Sequence, residues 1–284
     1  MRYLLLCLVF ASQFVVAQNV EPFKIYSKNG KKVSTKKFLK SLESCEIVLF
    51  GELHDNSIIH WLQLKTIQHL HNKNAISLGA EMLETHIQDQ LNQYLTESIP
   101  QDVFDSTAHL WVNYKTDYKP LVDFAKKNRV PFVATNIPRK YASFVYRNGL
   151  ELLEEELNEE EKKLVVPLPI AYDPDLPNYK AMLNMMSDHA NPNFPKAQAI
   201  KDATMAHFIY EHYITNSNQF IHFNGDYHSK DFEGIYWYLK RKDEKLNIKT
   251  ISTVEQDDVN RLNKDYHGQA DFIVVVDSDM TKTY

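Results

Sequence analysis

The chain has 284 residues, 44% of them hydrophobic, with a formal net charge of −5. That is enough apolar content for one packed α/β domain. The acidic balance, with no basic stripe or arginine-rich helix, argues against a nucleic-acid partner.

Met1 to Ala17 carries Arg2, a long apolar stretch and small residues at Val15 and Ala17. It reads as a secretory signal peptide cleaved near Ala17, leaving residues 18–284 as one domain. An uncleaved anchor is the other reading. The shortness of the run and the missing stop-transfer flank favour cleavage, and no later run is long enough to span a bilayer. Of the two cysteines, Cys7 lies inside the leader and too near Met1 to be a lipidation site. Cys45 then has no disulfide partner and is read as a small buried hydrophobe. The expected location is the periplasm or the medium, without a lipid anchor.

Pro22 to Val33 is expected to form a hairpin turning at Lys28-Asn29-Gly30. Ser34 caps a short helix, Lys36 to Leu42. A first buried strand, Ile47 to Phe50, runs into Gly51-Glu52-Leu53-His54, and a helix from Ser57 to Asn72 follows. A second strand, Ile76 to Ala80, ends at Glu81, before a helix from Thr85 to Thr96. After a helix from Tyr118 to Asn128, the third strand, Val130 to Thr135, ends at Asn136 with Arg139 close behind. A helix covers Arg139 to Asn148. Glu151 to Lys163 reads as one acidic helix. The four prolines that follow make 148–193 a helical insertion, able to cover the site as a lid. A helix from Ala197 to Asn216 precedes the fourth strand, Gln219 to Phe223, which ends at Asn224-Gly225-Asp226-Tyr227-His228. A helix from Phe232 to Lys242 and strands Ile248 to Val254 and Phe272 to Val276 close the chain. The fold class expected is α/β, a mostly parallel sheet flanked by helices on both faces, with the insertion near its carboxyl edge.

Open parallel sheets bind ligands outside the carboxyl ends of their strands. Glu52, His54, Glu81 and His228 therefore should meet at one edge. Residues i and i+2 of a strand share a face, so Glu52 and His54 point together. Asp55 or Asn56 is read as a helix cap, which leaves Glu52 unexplained by structure alone. Glu81 has two readings, a site carboxylate or a salt bridge to Arg139. Asp202 sits on an otherwise apolar helix stripe and needs a partner, Arg139 or a site histidine. Two glutamates and two histidines can hold a divalent metal ion. Without metal, one histidine can serve as a general base oriented by a carboxylate. Tyr114, Tyr118, Tyr172, Tyr179 and Tyr227 flank the edge, and most tyrosines simply pack. Met182, Met185 and Met186 are at ordinary helical core spacing.

GELH, GAEM, WVNYKTDYKPLVDFA, ATNIPR, KDATMA and FNGDYH, in that order over about Val48 to Leu239, resemble the ChaN family of haem-binding uptake proteins. That family lies within the Tiki, TraB and erythromycin-esterase-like superfamily. The resemblance implies an exported α/β protein that binds haem in a dimer, with tyrosine ligation, and takes part in haem or iron uptake at the outer membrane. Tyr114, Tyr118, Tyr172 and Tyr179 are the haem-ligand candidates it suggests by position, with Arg139 and Asp202 as further cofactor-binding residues. In Tiki-like relatives the positions of Glu52, His54, Glu81 and His228 look like metal ligands, which makes a metal-dependent hydrolase or protease the runner-up. Members are often lipoproteins, and this chain lacks the cysteine at the cleavage point.

Overall fold

The structure, a computed structural model, describes residues 21–185 and 191–284. The expected leader and Met186 lie outside the described residues. Eight strands form one sheet: β1 Phe23–Ser27, β2 Lys32–Val33, β3 Ile47–Glu52, β4 Ile76–Glu84, β5 Phe132–Asn136, β6 Gln219–Gly225, β7 Ile248–Gln256 and β8 Phe272–Asp277. The helices are α1 Thr35–Leu42, α2 Ser57–His71, α3 Gln88–Leu95, α4 Gln101–Thr107, α5 Lys119–Asn128, α6 Arg139–Asn148, α7 Leu153–Glu156, α8 Glu159–Lys162, α9 Pro177–Met185, α10 Phe194–Asn216 and α11 Ile235–Lys242.

The strand order is β2-β1-β8-β7-β3-β6-β4-β5. From β8 to β5 every neighbouring pair is parallel, and the N-terminal hairpin adds the two antiparallel strands. The chain leaves β3 for β4 and returns to insert β6 between them, so β3 lies at the centre with β6 and β7 on either side. Side chains alternate along β3 and sort the core into two layers. Val48 and Phe50 pack with α1, α2, α3 and α5 on one face. Ile47 and Leu49 pack with α6, α10 and α11 on the other. Each fully buried side chain of this kind contributes about 1.5–3 kcal/mol. Cys45 is a free, buried thiol, as its sequence context predicts.

Caps fix where the helices start. The Ser34 side chain accepts the Lys37 N–H, and Asn56 accepts those of Ile58 and Ile59, so Asn56 and not Asp55 is the cap. The expected acidic helix over Glu151 to Lys163 is instead two single turns. Leu157 is extended between them, and Asn158 opens the second turn with a reciprocal capping box to Glu161. Burial of Leu153 and Leu157 in the second core layer decides the break. Among the described residues, no helix is long and apolar enough to cross a membrane.

Candidate functional site

Strand alternation sends the two glutamates to opposite faces, and the loop residues after the strands bring their partners back together. Glu52 follows Phe50 by two and shares the face covered by α2 and α5. Its carboxylate accepts the Tyr118 hydroxyl at 2.7 Å and lies 2.9 Å from His54 Nδ1. Gln63 of α2 donates to its second oxygen. The His54 carbonyl accepts Asn113 Nδ2 at 2.9 Å and faces His60 Nε2 at 3.0 Å, which anchors the loop.

Glu81 faces the α10 side. One of its oxygens accepts the Gly225 N–H at 2.7 Å, and the other lies 3.1 Å from His228 Nε2. The second nitrogen of His228 meets Asp202 of α10 at 2.5 Å. A histidine, and not Arg139, is therefore the partner of Asp202. Arg139 does not pair with Glu81 either; it is exposed at the start of α6, and its backbone N–H donates to Glu84.

The two groups converge over Gly225. A Cβ there would lie 2.8 Å from His54 Nε2 and 3.4 Å from Glu81 Oε2. Only glycine lets the His54 ring sit down on the end of β6. Gly51 is likewise pressed by Asp226 Oδ1 at 2.7 Å and the Ile251 carbonyl at 2.8 Å.

Electrostatics follow the pairing. Burial opposes ionisation of Glu52 and Glu81, but hydrogen bonds and charges from His54, His60 and His228 outweigh it and hold both below the usual carboxylate range. Burial likewise works against charge on His228, yet Glu81 and Asp202 raise it to about 9. His54 is also raised, by Glu52 and Glu81 against burial. Burial leaves Asp202 raised in spite of His228. Asp226, which accepts from Ser252 Oγ and the Thr253 N–H, is pushed up to about 6 by burial.

The divalent ion expected on Glu52, His54, Glu81 and His228 is not supported. Among the described residues, no group of three or more His, Cys, Asp or Glu is placed to hold one. The reason is visible: Nδ1 of His54 and both nitrogens of His228 already face carboxylates.

Two clefts open here and share Phe194 and Tyr284. One, of ≈ 710 Å³, is lined by His54, Glu52, Asp226 and His228, with Tyr227 and Tyr266 on its walls; the insertion brings Met182 of α9 to it. The other, of ≈ 900 Å³, is lined by Glu81, Trp111, Asn113 and Asn136, and by one face of α6: Arg139, Ala142, Ser143, Tyr146 and Arg147. Lys201 of α10 adds a third cation. A larger groove of ≈ 1270 Å³ follows the outer edge of β5, away from these groups. There the Gln88 amide bridges the Phe132 carbonyl and the Ala134 N–H and so covers the sheet edge.

Three of the four tyrosines expected as haem ligands are interior. Tyr114, Tyr118 and Tyr179 are 2–3% exposed, and burial drives their phenols well above the ordinary range. Tyr118 serves Glu52, Tyr179 reaches Asp202, and Tyr114 packs on Phe104. Tyr172 is half-buried and stacked on Tyr179. The tyrosines that line the clefts are Tyr146, Tyr227, Tyr266 and Tyr284. Tyr146 had a signal in the sequence: it lies seven residues after Arg139, two turns along one helix face.

An open α/β sheet with buried acid–histidine pairs and clefts at its carboxyl edge defines a ligand-binding or catalytic α/β protein. The family model described as "Haem-binding uptake, Tiki superfamily, ChaN" matches residues 38–239, and the chain belongs to that family. Among solved structures it is similar to ChaN of Campylobacter jejuni, described as showing cofacial heme binding. That match has a TM-score of 0.67 and 16% identity, and covers 89% of this chain and 96% of that one. The type III effector HopBA1 is similar with a TM-score of 0.52 and 12% identity, over 90% and 99% of the two chains. At these identities the likeness shows the fold alone. Protein RETICULATA-RELATED 5, chloroplastic, from Arabidopsis thaliana is 27% identical over 143 residues, 46% of this chain and 18% of that protein. The chain thus spans less than a fifth of the curated relative it matches.

Proposed function

We propose that this protein binds haem in the cationic cleft and serves haem or iron uptake after export. The observation that carries the reading is the lining of that cleft. Trp111, Tyr146, Phe194 and Tyr284 supply aromatic walls for a macrocycle, and Arg139, Arg147 and Lys201 supply cations for its two propionates. Tyr146 and Tyr284 present phenols able to ligate ferric iron. The other cleft, lined by Glu52, Asp55, Asp226 and Glu255, has no lysine or arginine in its wall to receive propionates. Bound haem would supply iron-centred ligand chemistry; the chain holds, orients and shields it. Met1 to Ala17 supports export to the periplasm or medium. Pairing of two copies and transfer to an outer-membrane uptake system belong to the same proposal, and the 84%-exposed Val112 beside Trp111 supplies apolar surface for pairing at the cleft rim. Titration of the full chain with haemin is expected to give a saturable Soret shift; a spectrum that is the sum of free haemin and protein at every ratio would rule the reading out.

One observation favours a second reading, a metal-free hydrolytic site. His54 is held through Nδ1 by Glu52, and its ring borders the acidic cleft with the side chain 32% exposed. That is the arrangement of an oriented general base. Its raised pKa means the neutral base gains as pH rises above the usual histidine range. Hydrolysis of p-nitrophenyl acetate should then increase with pH, survive chelators and vanish in His54→Ala; activity equal in that variant would remove the assignment.

A further inference from the structure

Behind Glu52 lies a second histidine, whose ring is held between two atoms that can only accept. His60 stands in the first turn of α2, the helix that Asn56 caps. Gln63 follows it by three, so the two share a helix face, and both are buried. Gln63 Nε2 donates to the Glu52 carboxylate, which leaves its Oε1 as an acceptor 3.2 Å from His60 Nδ1. Glu52 is held as an anion with no proton to give, so the amide cannot turn over. The other ring nitrogen, Nε2, lies 3.0 Å from the His54 carbonyl. A neutral imidazole has one N–H and one lone pair; it answers one of these acceptors and turns its lone pair on the other. Only the imidazolium, with two N–H groups, satisfies both.

The surrounding charges agree. The Glu52 carboxylate lies 3.9 Å from Nδ1 and that of Asp117 3.8 Å from Nε2, with side chains 0% and 2% exposed. Glu52 also accepts the Tyr118 hydroxyl, and Asp117 accepts Asn113 Nδ2 and Thr283 Oγ1, all of them neutral donors. His54 is the other titratable partner of Glu52. When His54 is neutral, as a general base must be, His60 is the cation that these two buried carboxylates share, and buried carboxylates are costly to leave without one.

We infer that His60 is a buried imidazolium that positions His54. One N–H pins the His54 backbone carbonyl. The other holds Gln63, and through it the Glu52 carboxylate, which faces His54 Nδ1 at 2.9 Å. Neutral His54 therefore keeps its proton on Nδ1 and offers Nε2 as the basic nitrogen. His60 lines neither cleft, so it acts through His54 and not on a ligand. The positioning role rests on the hydrolytic reading; the charge on His60 does not.

Nitrogen-15 spectra of the histidine side chains in the full chain test both parts. At pH 7 His60, assigned through its backbone resonances, should show both ring nitrogens protonated; one bare nitrogen would overturn the inference. In His60→Gln, neutral His54 should share its proton between both ring nitrogens; an unchanged Nδ1–H tautomer would overturn the positioning role. Hydrolysis of p-nitrophenyl acetate by that variant should fall at least about tenfold on the alkaline plateau, where His54 is neutral in both proteins, and a rate equal to wild type would also overturn it. Absence of hydrolysis in the wild-type protein would remove the hydrolytic reading and leave the spectra to decide on His60. The wild-type spectrum decides its charge even if His60→Gln does not fold.

Discussion

Replacing Glu81 by alanine is expected to lower the free energy of unfolding by about 3–5 kcal/mol. Glu81 is 5% exposed, and both of its oxygens are engaged. Its removal strips one carboxylate from the imidazolium of His228 and leaves the Gly225 N–H without its 2.7 Å acceptor. An orphaned buried donor alone costs about 1–3 kcal/mol. Glu81→Gln keeps an acceptor for Gly225 and loses the charge, so its loss should be smaller. Urea unfolding followed by circular dichroism measures both. A loss below about 1 kcal/mol for the alanine variant would show that the ion triad contributes little to holding β4, β6 and α10 together.

The second large effect is on pH dependence. In the folded protein His228 is raised from 6.5 to about 9 by Glu81 and Asp202, against burial. A group whose folded pKa is raised stabilises the fold fully below its unfolded pKa, and loses that contribution as pH rises through the folded value. The rise corresponds to about 3 kcal/mol. Stability should therefore decline between pH 6.5 and 9, and the decline should shrink in His228→Gln to the part His54 contributes. On the acid side the sign reverses. Glu81 is lowered in the fold, so its contribution is present above the usual carboxylate range and is lost as pH falls below it. Unfolding free energies measured from pH 4 to 10 on both proteins test this. A flat wild-type curve from pH 6.5 to 9 would mean that His228 is not the charged centre of the triad.

The strand ends were legible in the sequence because each is a short β-branched run stopped by a polar residue. Glu52, Glu81 and His228 do stand together at the carboxyl edge, around Gly225. The partners of these residues were not legible. Gln63 and Gln198, which hold Glu52 and His228, are single polar residues on helix faces, and nothing local separates them from solvated ones. Arg139 looked like the counterion of Glu81 because both follow strand ends; the order of β4 and β6 in the sheet gives that place to His228. The tyrosines misled for a related reason. Proximity in sequence to a strand end places a residue near the edge, but the irregular turn at Tyr114–Tyr118 carries Tyr114 and Tyr118 inward. Tyr146 reaches the cleft from the last turn of α6. The acidic run over Glu151 to Lys163 hid two buried leucines, and their packing, not helix propensity, set its shape.

Haem affinity of two double variants tests the central assignment most directly, namely that the cation-lined cleft and not the acid–histidine cleft receives the macrocycle. Arg139→Ala with Arg147→Ala should weaken haemin binding at least about tenfold, since each charge-assisted contact contributes about 1.5–3 kcal/mol. Glu52→Ala with His54→Ala, which touches the cation-lined cleft through the edge contact of the His54 ring with Trp111, should weaken it far less. The reverse pattern, full binding without the two arginines and loss without Glu52 and His54, would contradict it.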